Sequence, residues 1–331
     1  MKIRLLSALF IASFIMFSAC SQNNHSGDNV RQEPSNWAEK LGYPAGKKVI
    51  ILHADDAGMC EEANIATKEY LSAGHIQSAA AMPPCPEFED MIRWAKENPQ
   101  VDIGLHLTLN SEWKAYRWPS VLPVEEVPGL IDEEGMLWPE VMQVIQHASV
   151  EEVDKEVRAQ IEKSIAMGYQ PDHIDTHMET IHGHPEYYKA YLKIAEEYNI
   201  PAMVIDLSDS IVVAHFQQAG YPINEEIINF VDAYALPKLD FFTSAPNANS
   251  YDEKVDAFKG LIKSLRPGLT EIIFHPSVET EQLKGITNSW QQRVWEAKMF
   301  SDPELIQFFE DEGIIFTNWK EIMRRFKESD L

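Results

Sequence analysis

The stretch KVIILHADD, Lys48–Asp56, has the β-branched content and length of a buried strand, yet it ends on a histidine and two adjacent aspartates. A helical pattern follows at once, EEANIATKEYLSAG, with acidic residues at its start and Gly74 at its stop. The alternation then repeats. IQSAAAM precedes the helical EFEDMIRWAKEN, and VDIGLHLTL, after a long irregular stretch, precedes a helix over Val150–Met167 that Gly168 stops. DHIDTH leads to a helix around Glu186–Tyr198, and AMVI, LTEIIFH and GIIFTN are the later strands, with helices around Glu253–Leu265 and Pro303–Glu312 between and before them. Strands alternating with helices imply parallel β/α units. About seven such units predict an α/β fold, a distorted TIM-like (β/α) barrel forming a single catalytic domain over residues 46–331. No glycine-rich phosphate loop follows the first strand, which argues against an open nucleotide-binding sheet.

The whole chain agrees with a large globular domain: 331 residues, 45% hydrophobic and 24% charged. Its net charge of −24, from 52 acidic against 28 basic residues, repels phosphate backbones and predicts no nucleic-acid partner. Lys2 and Arg4 precede the apolar run LLSALFIASFIMFSA, which ends at Cys20. That pattern is a secretory signal. FSAC resembles a bacterial lipobox, with Phe17 in place of the usual aliphatic residue, so residues 1–20 are expected to be a lipoprotein signal peptide, with Cys20 as the lipidated residue. An ordinary cleaved signal with an incidental cysteine is the competing reading. The expected location is the bacterial cell envelope, after export, with contact to the membrane through the lipid anchor only. Residues 21–45 are polar and aperiodic, as a flexible tether would be. Cys60 and Cys85 are expected to stay unpaired, although an exported chain would allow a disulfide.

Chemistry in β/α barrels gathers at the carboxyl ends of the strands. Here four strands deliver His or Asp to that end: the first in HADD, His53 to Asp56; the third in GLHLT, with His106; the fourth in HIDTH, with His177; the sixth in FHPS, with His275. The segment PDHIDTHMETIHGHP, Pro171–Pro185, is the densest part of this pattern. His173, Asp175 and His177 lie two apart, so period-2 alternation puts them on one face. Burying these groups without partners would cost a few kcal/mol each. A cation removes that cost, as mutual hydrogen bonds and water also would. Two imidazoles and one carboxylate suit a catalytic divalent site that leaves a position open for water. That donor set favours zinc, with magnesium as the alternative. Consecutive side chains diverge, so one of Asp55 and Asp56 can ligate while the other faces the water as base. His173 and Asp175 are expected to orient and tune His177.

Five blocks in order, ILHADDAGMCEEANIAT, DIGLHLTLN, PDHIDTHMETIH, EIIFHPS and RVWEAKMFSDPEL, resemble those of the YdjC-like (ChbG/HpnK) carbohydrate deacetylases, relatives of the NodB-type polysaccharide deacetylases. The resemblance runs from about Lys48 to Trp319. It implies removal of the N-acetyl group from an amino sugar or oligosaccharide with one divalent metal. Carried over by position, Asp56, His106 and His177 are the metal ligands, Asp55 the general base and His275 the general acid. Arg293 falls in a late arginine block and is expected to orient Asp55 or another carboxylate. The chain departs from the family pattern at His53 and Ala57, where NADDFG is usual, and at Glu179 and Ile181, where further histidines are common.

The long loop from Ser111 to Pro139 carries Trp113, Tyr116, Trp118 and Trp138. Aromatic rings on loops at this end of a barrel suit sugar faces, and Trp113 and Trp118 are the expected substrate contacts, against the alternative of a small core beneath the loop. The region between Asp206 and Asn249 reads as irregular, a second lid. Three functions follow as alternatives: a metal-dependent N-deacetylase of a saccharide, a metal-dependent amide or phosphoester hydrolase on another substrate, and a non-catalytic sugar-binding lipoprotein. Retention of Asp55, Asp56, both ligand histidines and His275 together argues for catalysis. The oligomeric state stays open.

Overall fold

A computed structural model describes residues 36–329. Its centre is one sheet of seven strands, every pairing parallel: β1 Lys48–Ala57, β2 Ser78–Ala81, β3 Ile103–Leu107, β4 Ile174–Thr176, β5 Phe241–Ser244, β6 Gly268–Phe274 and β7 Ile315–Phe316. The order is β4-β3-β2-β1-β6-β5, with β7 on the early half of β1. β1 is the central stave. From Val49 onward it is buried throughout, and it pairs with β6 without a break from Lys48↔Gly268 to Ala54↔Phe274. A run of Val, Ile and Leu buried on both faces is what a strand covered by helices requires.

The sheet curls towards closure through the segment after β4. Ile174 bridges Ala202 and Ile205 bridges Leu239, both parallel, so residues 202–205 link β4 to the approach of β5. The Met203 amide lies within reach of both the Ile174 carbonyl (2.9 Å) and the Tyr191 hydroxyl (3.1 Å). Two single bridges replace a continuous ladder there. The expected AMVI strand is therefore only a pair of bridges, and the sheet position beside β6 belongs to Phe241–Ser244, within the stretch expected to be irregular. That stretch also holds helices Ser210–Gln218 and Glu225–Asp232. The distorted barrel and single domain are otherwise as the alternation implies.

Helix boundaries follow local chemistry. Ser149 accepts from the Glu152 amide while Glu152 reaches back to Ser149, a capping box that starts Val150–Ala166. Gly74, at φ 71°, closes Glu61–Ala73. Among the described residues no helix is long and apolar enough to cross a membrane.

The expected signal peptide, Cys20 and the tether up to residue 35 lie outside the described residues. The end of that tether, residues 36–45, needs correction: it is packed. Trp37, Ala38, Leu41 and Tyr43 are buried, and the Trp37 and Ala38 amides both donate to Asp240. The Trp37 indole donates to Asp206 at 2.9 Å, and the Tyr43 hydroxyl meets Thr317. Trp37→Ala should lower the unfolding free energy by about 3 kcal/mol in denaturant titration; a change below about 0.5 kcal/mol would show that this segment adds nothing to the domain.

Candidate active site

The carboxyl end of β1 is built to splay its two aspartates. Between Ala54↔Ala79 and Ala57↔Ala81 it carries one residue more than β2, a bulge. Asp56 takes the left-handed conformation at φ 61°, which aspartate tolerates better than most residues. Gly58, at φ 78°, then turns the chain where a Cβ would press on the Phe88 backbone.

Asp56 is 1% exposed and meets three groups. Arg293, on helix Trp290–Met299, donates from Nη2 to Asp56 Oδ2 at 2.7 Å. Asp56 Oδ1 lies 3.5 Å from His106 Nε2 and 3.3 Å from His177 Nδ1. These three residues offer ligand atoms within 4.8 Å of one another, all buried. Asp56 Oδ1 has no hydrogen-bond partner of its own, so its free lone pairs face the two imidazoles. A divalent cation fits this donor set of one carboxylate and two imidazole nitrogens.

Each ligand candidate is held from behind. His106 and Asp175 are register partners on β3 and β4, and His106 Nδ1 bonds Asp175 Oδ1 at 2.7 Å, which leaves Nε2 for the centre. His177 Nε2 bonds Glu112 Oε2 at 3.0 Å, which leaves Nδ1 for the centre. Glu112 has no counterpart in the sequence reading. It lies 65 positions from His177 in an aperiodic loop, and no spacing rule connects the two.

The roles expected of His173 and Asp175 need correction, because neither orients His177. β4 ends at Thr176, and His177 already sits in a turn whose next two residues, Met178 and Glu179, have φ of 54° and 55°. Strand alternation stops before His177, and only His173 and Asp175 share the barrel interior. Asp175 Oδ2 is 3.0 Å from His53 Nε2. His173 lies deeper, 2.9 Å from Asp102 and stacked on Trp319, where a Cβ at Gly104 would collide with its ring. A polar chain thus runs down the barrel from His106 through Asp175, His53, Ser78 and Asp102 to His173.

Asp55 is 4% exposed, with Oδ1 3.3 Å from His53 Nε2 and Oδ2 3.8 Å from His275 Nε2. Burial, then Asp175, Asp56 and Glu271, push its carboxyl well above the usual range, with His106 opposing. Burial acts the same way on Asp56, but the Arg293 guanidinium and the nearby His177 ring overcome it and hold that carboxyl well below the usual range. Two adjacent aspartates therefore differ in basicity because their surroundings differ. His275 follows β6, its amide fixed by Glu296 at 2.8 Å, and Glu296 also pairs with buried Lys254 at 2.8 Å. The His275 side chain is 36% exposed at the rim, and desolvation, then Arg293 and His106, lower its pKa against the pull of Asp56 and Glu296.

Of the two tryptophans expected to contact substrate, Trp113 is half-buried at the rim, its ring 5.6 Å from the Arg293 guanidinium. Trp118 is 1% exposed, donates to the Asn110 carbonyl at 2.7 Å and sets its ring against His177, 6.2 Å between centroids. It braces His177 and offers no face to a sugar. The small-core alternative holds for Trp118. Cys60 and Cys85 are both buried and free, without a disulfide between them.

The family model described as YdjC-like protein matches residues 49–311. The chain belongs to the YdjC-like family. Relatives of this YdjC-like chain include proteins named carbohydrate deacetylase from Thermoanaerobacter pseudethanolicus, 25% identical over 82% of this chain and 98% of the relative, and from Thermus thermophilus, 28% identical over 81% and 91%. A solved structure from Enterococcus faecalis V583 superposes with a TM-score of 0.67 at 26% identity, covering 83% of this chain and 99% of the other. The YdjC-like match runs from the second residue of β1 to the end of helix Pro303–Asp311, the last before β7, so every residue of the site lies inside it.

Electrostatics of the cluster give a direct test. Burial lowers the pKa of His177, but Glu112 and then the nearby Asp56 carboxylate outweigh it and raise the ring to about 10. In the cation-free protein that charge stabilises the fold fully below the ordinary pKa of 6.5, and the contribution is lost as pH rises through about 10. Zinc uptake at pH 7 should therefore expel about one proton from His177, and affinity should rise with pH up to that value. Calorimetric titration in buffers of different ionisation enthalpy measures the release; uptake without proton release would contradict this placement of His177.

Proposed function

We propose that the chain is a metal-dependent hydrolase that removes the N-acetyl group from an amino sugar or oligosaccharide. The observation that carries the reading is convergence: Asp56, His106 and His177, from three separate strand ends, gather within 4.8 Å, and Asp55 and His275 stand beside them 3.8 Å apart. The names of the relatives supply the substrate class, an acetylated saccharide.

Asp56, His106 and His177 would hold the cation, zinc by donor set and magnesium as the alternative. When bound, it would acidify a water and polarise the acetyl carbonyl. Asp55, kept basic by its buried, carboxylate-rich surroundings, takes the proton of the attacking water. His275, open to the rim, is the general acid: it takes a proton from solvent and delivers it to the departing amine, and the proton on Asp55 leaves to solvent after the acetate does. Arg293 keeps Asp56 ionised and fixed, and Asp175 and Glu112 fix the two imidazoles. The proposal includes export and lipid anchoring through Cys20, which rest on the sequence of residues 1–20.

Acetate release from a panel of acetylated saccharides tests the reaction against amide or phosphoester hydrolysis elsewhere and against sugar binding alone. Asp55→Asn should cut kcat by about 10²-fold or more while zinc content stays at the wild-type level. Turnover within about twofold of wild type would remove Asp55 from the mechanism.

A further inference from the structure

His53 is fully buried and takes no part in the chemistry above, yet it stands between the proposed base and the group that fixes His106. Its Nδ1 bonds Ser78 Oγ at 3.1 Å, across a register pair of β1 and β2. Its Nε2 lies 3.0 Å from Asp175 Oδ2 and 3.3 Å from Asp55 Oδ1. Glu271 Oε2 is 4.0 Å from Nδ1, and the His173 ring meets the imidazole edge-on, 5.0 Å between centroids.

These contacts decide how many protons the ring carries. A serine hydroxyl has one hydrogen, and Ser78 gives it to Asp102 Oδ1 at 2.9 Å. Asp102 can only accept it. Burial raises that carboxyl, but His173, the Lys320 amide and Ser78 outweigh burial and hold it below the usual range. Towards His53, Ser78 is therefore left as an acceptor, and Nδ1 must carry a hydrogen. On the opposite side, a bare Nε2 would turn its lone pair on the Asp175 carboxylate at 3.0 Å. Asp175 is ionised as well, since His106 draws its carboxyl below the usual range against burial. Two facing lone pairs repel, so Nε2 carries the second hydrogen. The surrounding charge agrees: burial lowers the pKa of the ring, but Glu271, Asp175 and Asp102 outweigh it and raise it. Neither His53 Nε2 nor Asp55 Oδ1 has a hydrogen-bond partner, so charge is what compensates the burial of that oxygen.

We propose that His53 is a buried imidazolium and the positioning residue for Asp55. Its charge draws Asp55 Oδ1 into the barrel interior and leaves Oδ2, the oxygen 3.8 Å from His275, to meet the attacking water. The inference rests on the hydrolase reading and deepens it by naming the residue that aims its base.

Ring-nitrogen NMR of the full protein, labelled with ¹⁵N-histidine, reads the protons directly, and loss of one ring's signals in His53→Gln assigns them. At pH 7 both nitrogens of His53 should be protonated, with and without zinc. A neutral ring, with one bare nitrogen, would overturn the proposal. Kinetics test the positioning, with acetate release from the best substrate of the saccharide panel. His53→Leu should lower kcat about 10²-fold, with KM within about threefold and zinc content at the wild-type level. His53→Gln, which keeps a donor without the charge, should fall between. In an Asp55→Asn background, His53→Leu should cost no more than about threefold further, because it acts through a carboxylate already removed. Losses that multiply in full would also overturn the proposal. Thermal melts identify a variant that has lost its fold, and the NMR of wild type then still decides. An imidazolium at His53 in a protein that releases acetate from no acetylated saccharide would keep the charge assignment and sink the deacetylase reading.

Discussion

A carboxylate with 1% of its surface exposed cannot remain ionised without compensating charge, and Asp56 is the point on which the site is organised. Arg293 occupies one of its oxygens, and the other is left to two imidazoles that already have carboxylate partners behind them. A single backbone event makes this possible. The bulge in β1 and the left-handed Asp56 turn the two aspartates to different neighbours, one towards Arg293 and one towards His53 and His275. Replacing Arg293 by an uncharged residue would leave that carboxylate without its main support, which explains why a helix far along the chain is brought over the mouth of the barrel.

The barrel interior extends the same constraint downward. His53, Ser78, Asp102, His173 and Asp175 are all nearly solvent-free, and their contacts form one continuous chain below His106. Glu271 adds a further carboxylate, held by the Trp319 indole at 2.9 Å. The His53 imidazole reaches Asp55 on one side and Asp175 on the other, so it couples the proposed base to the group that fixes His106. Charged groups packed at such density constrain one another's geometry as firmly as a hydrophobic core would.

Much of this was legible in the sequence, for physical reasons that also mark its limits. The β1 and β6 runs are long and rich in Ile and other apolar residues, and β3 is apolar apart from its histidine, so their burial and the polar residues near their ends could be read directly. AMVI looked the same, yet the two bridges and the Tyr191 hydroxyl satisfy the chain there without a ladder. Phe241–Ser244 was invisible because it is only half-buried and follows two short helices. Alternation placed His173 and Asp175 correctly inside the barrel but failed at His177, since a period of two holds only while the strand lasts. Trp118 and Glu112 could not be assigned from the loop that carries them, because their roles depend on where His177 turns.

The central claim is that Asp56, His106 and His177 bind one cation in common, and anomalous diffraction at the zinc edge from a zinc-loaded crystal tests it most directly. The account predicts a single strong peak about 2.0–2.2 Å from a carboxylate oxygen of Asp56, from His106 Nε2 and from His177 Nδ1. A zinc-loaded crystal with no peak there, or with its peak on other residues, would contradict it.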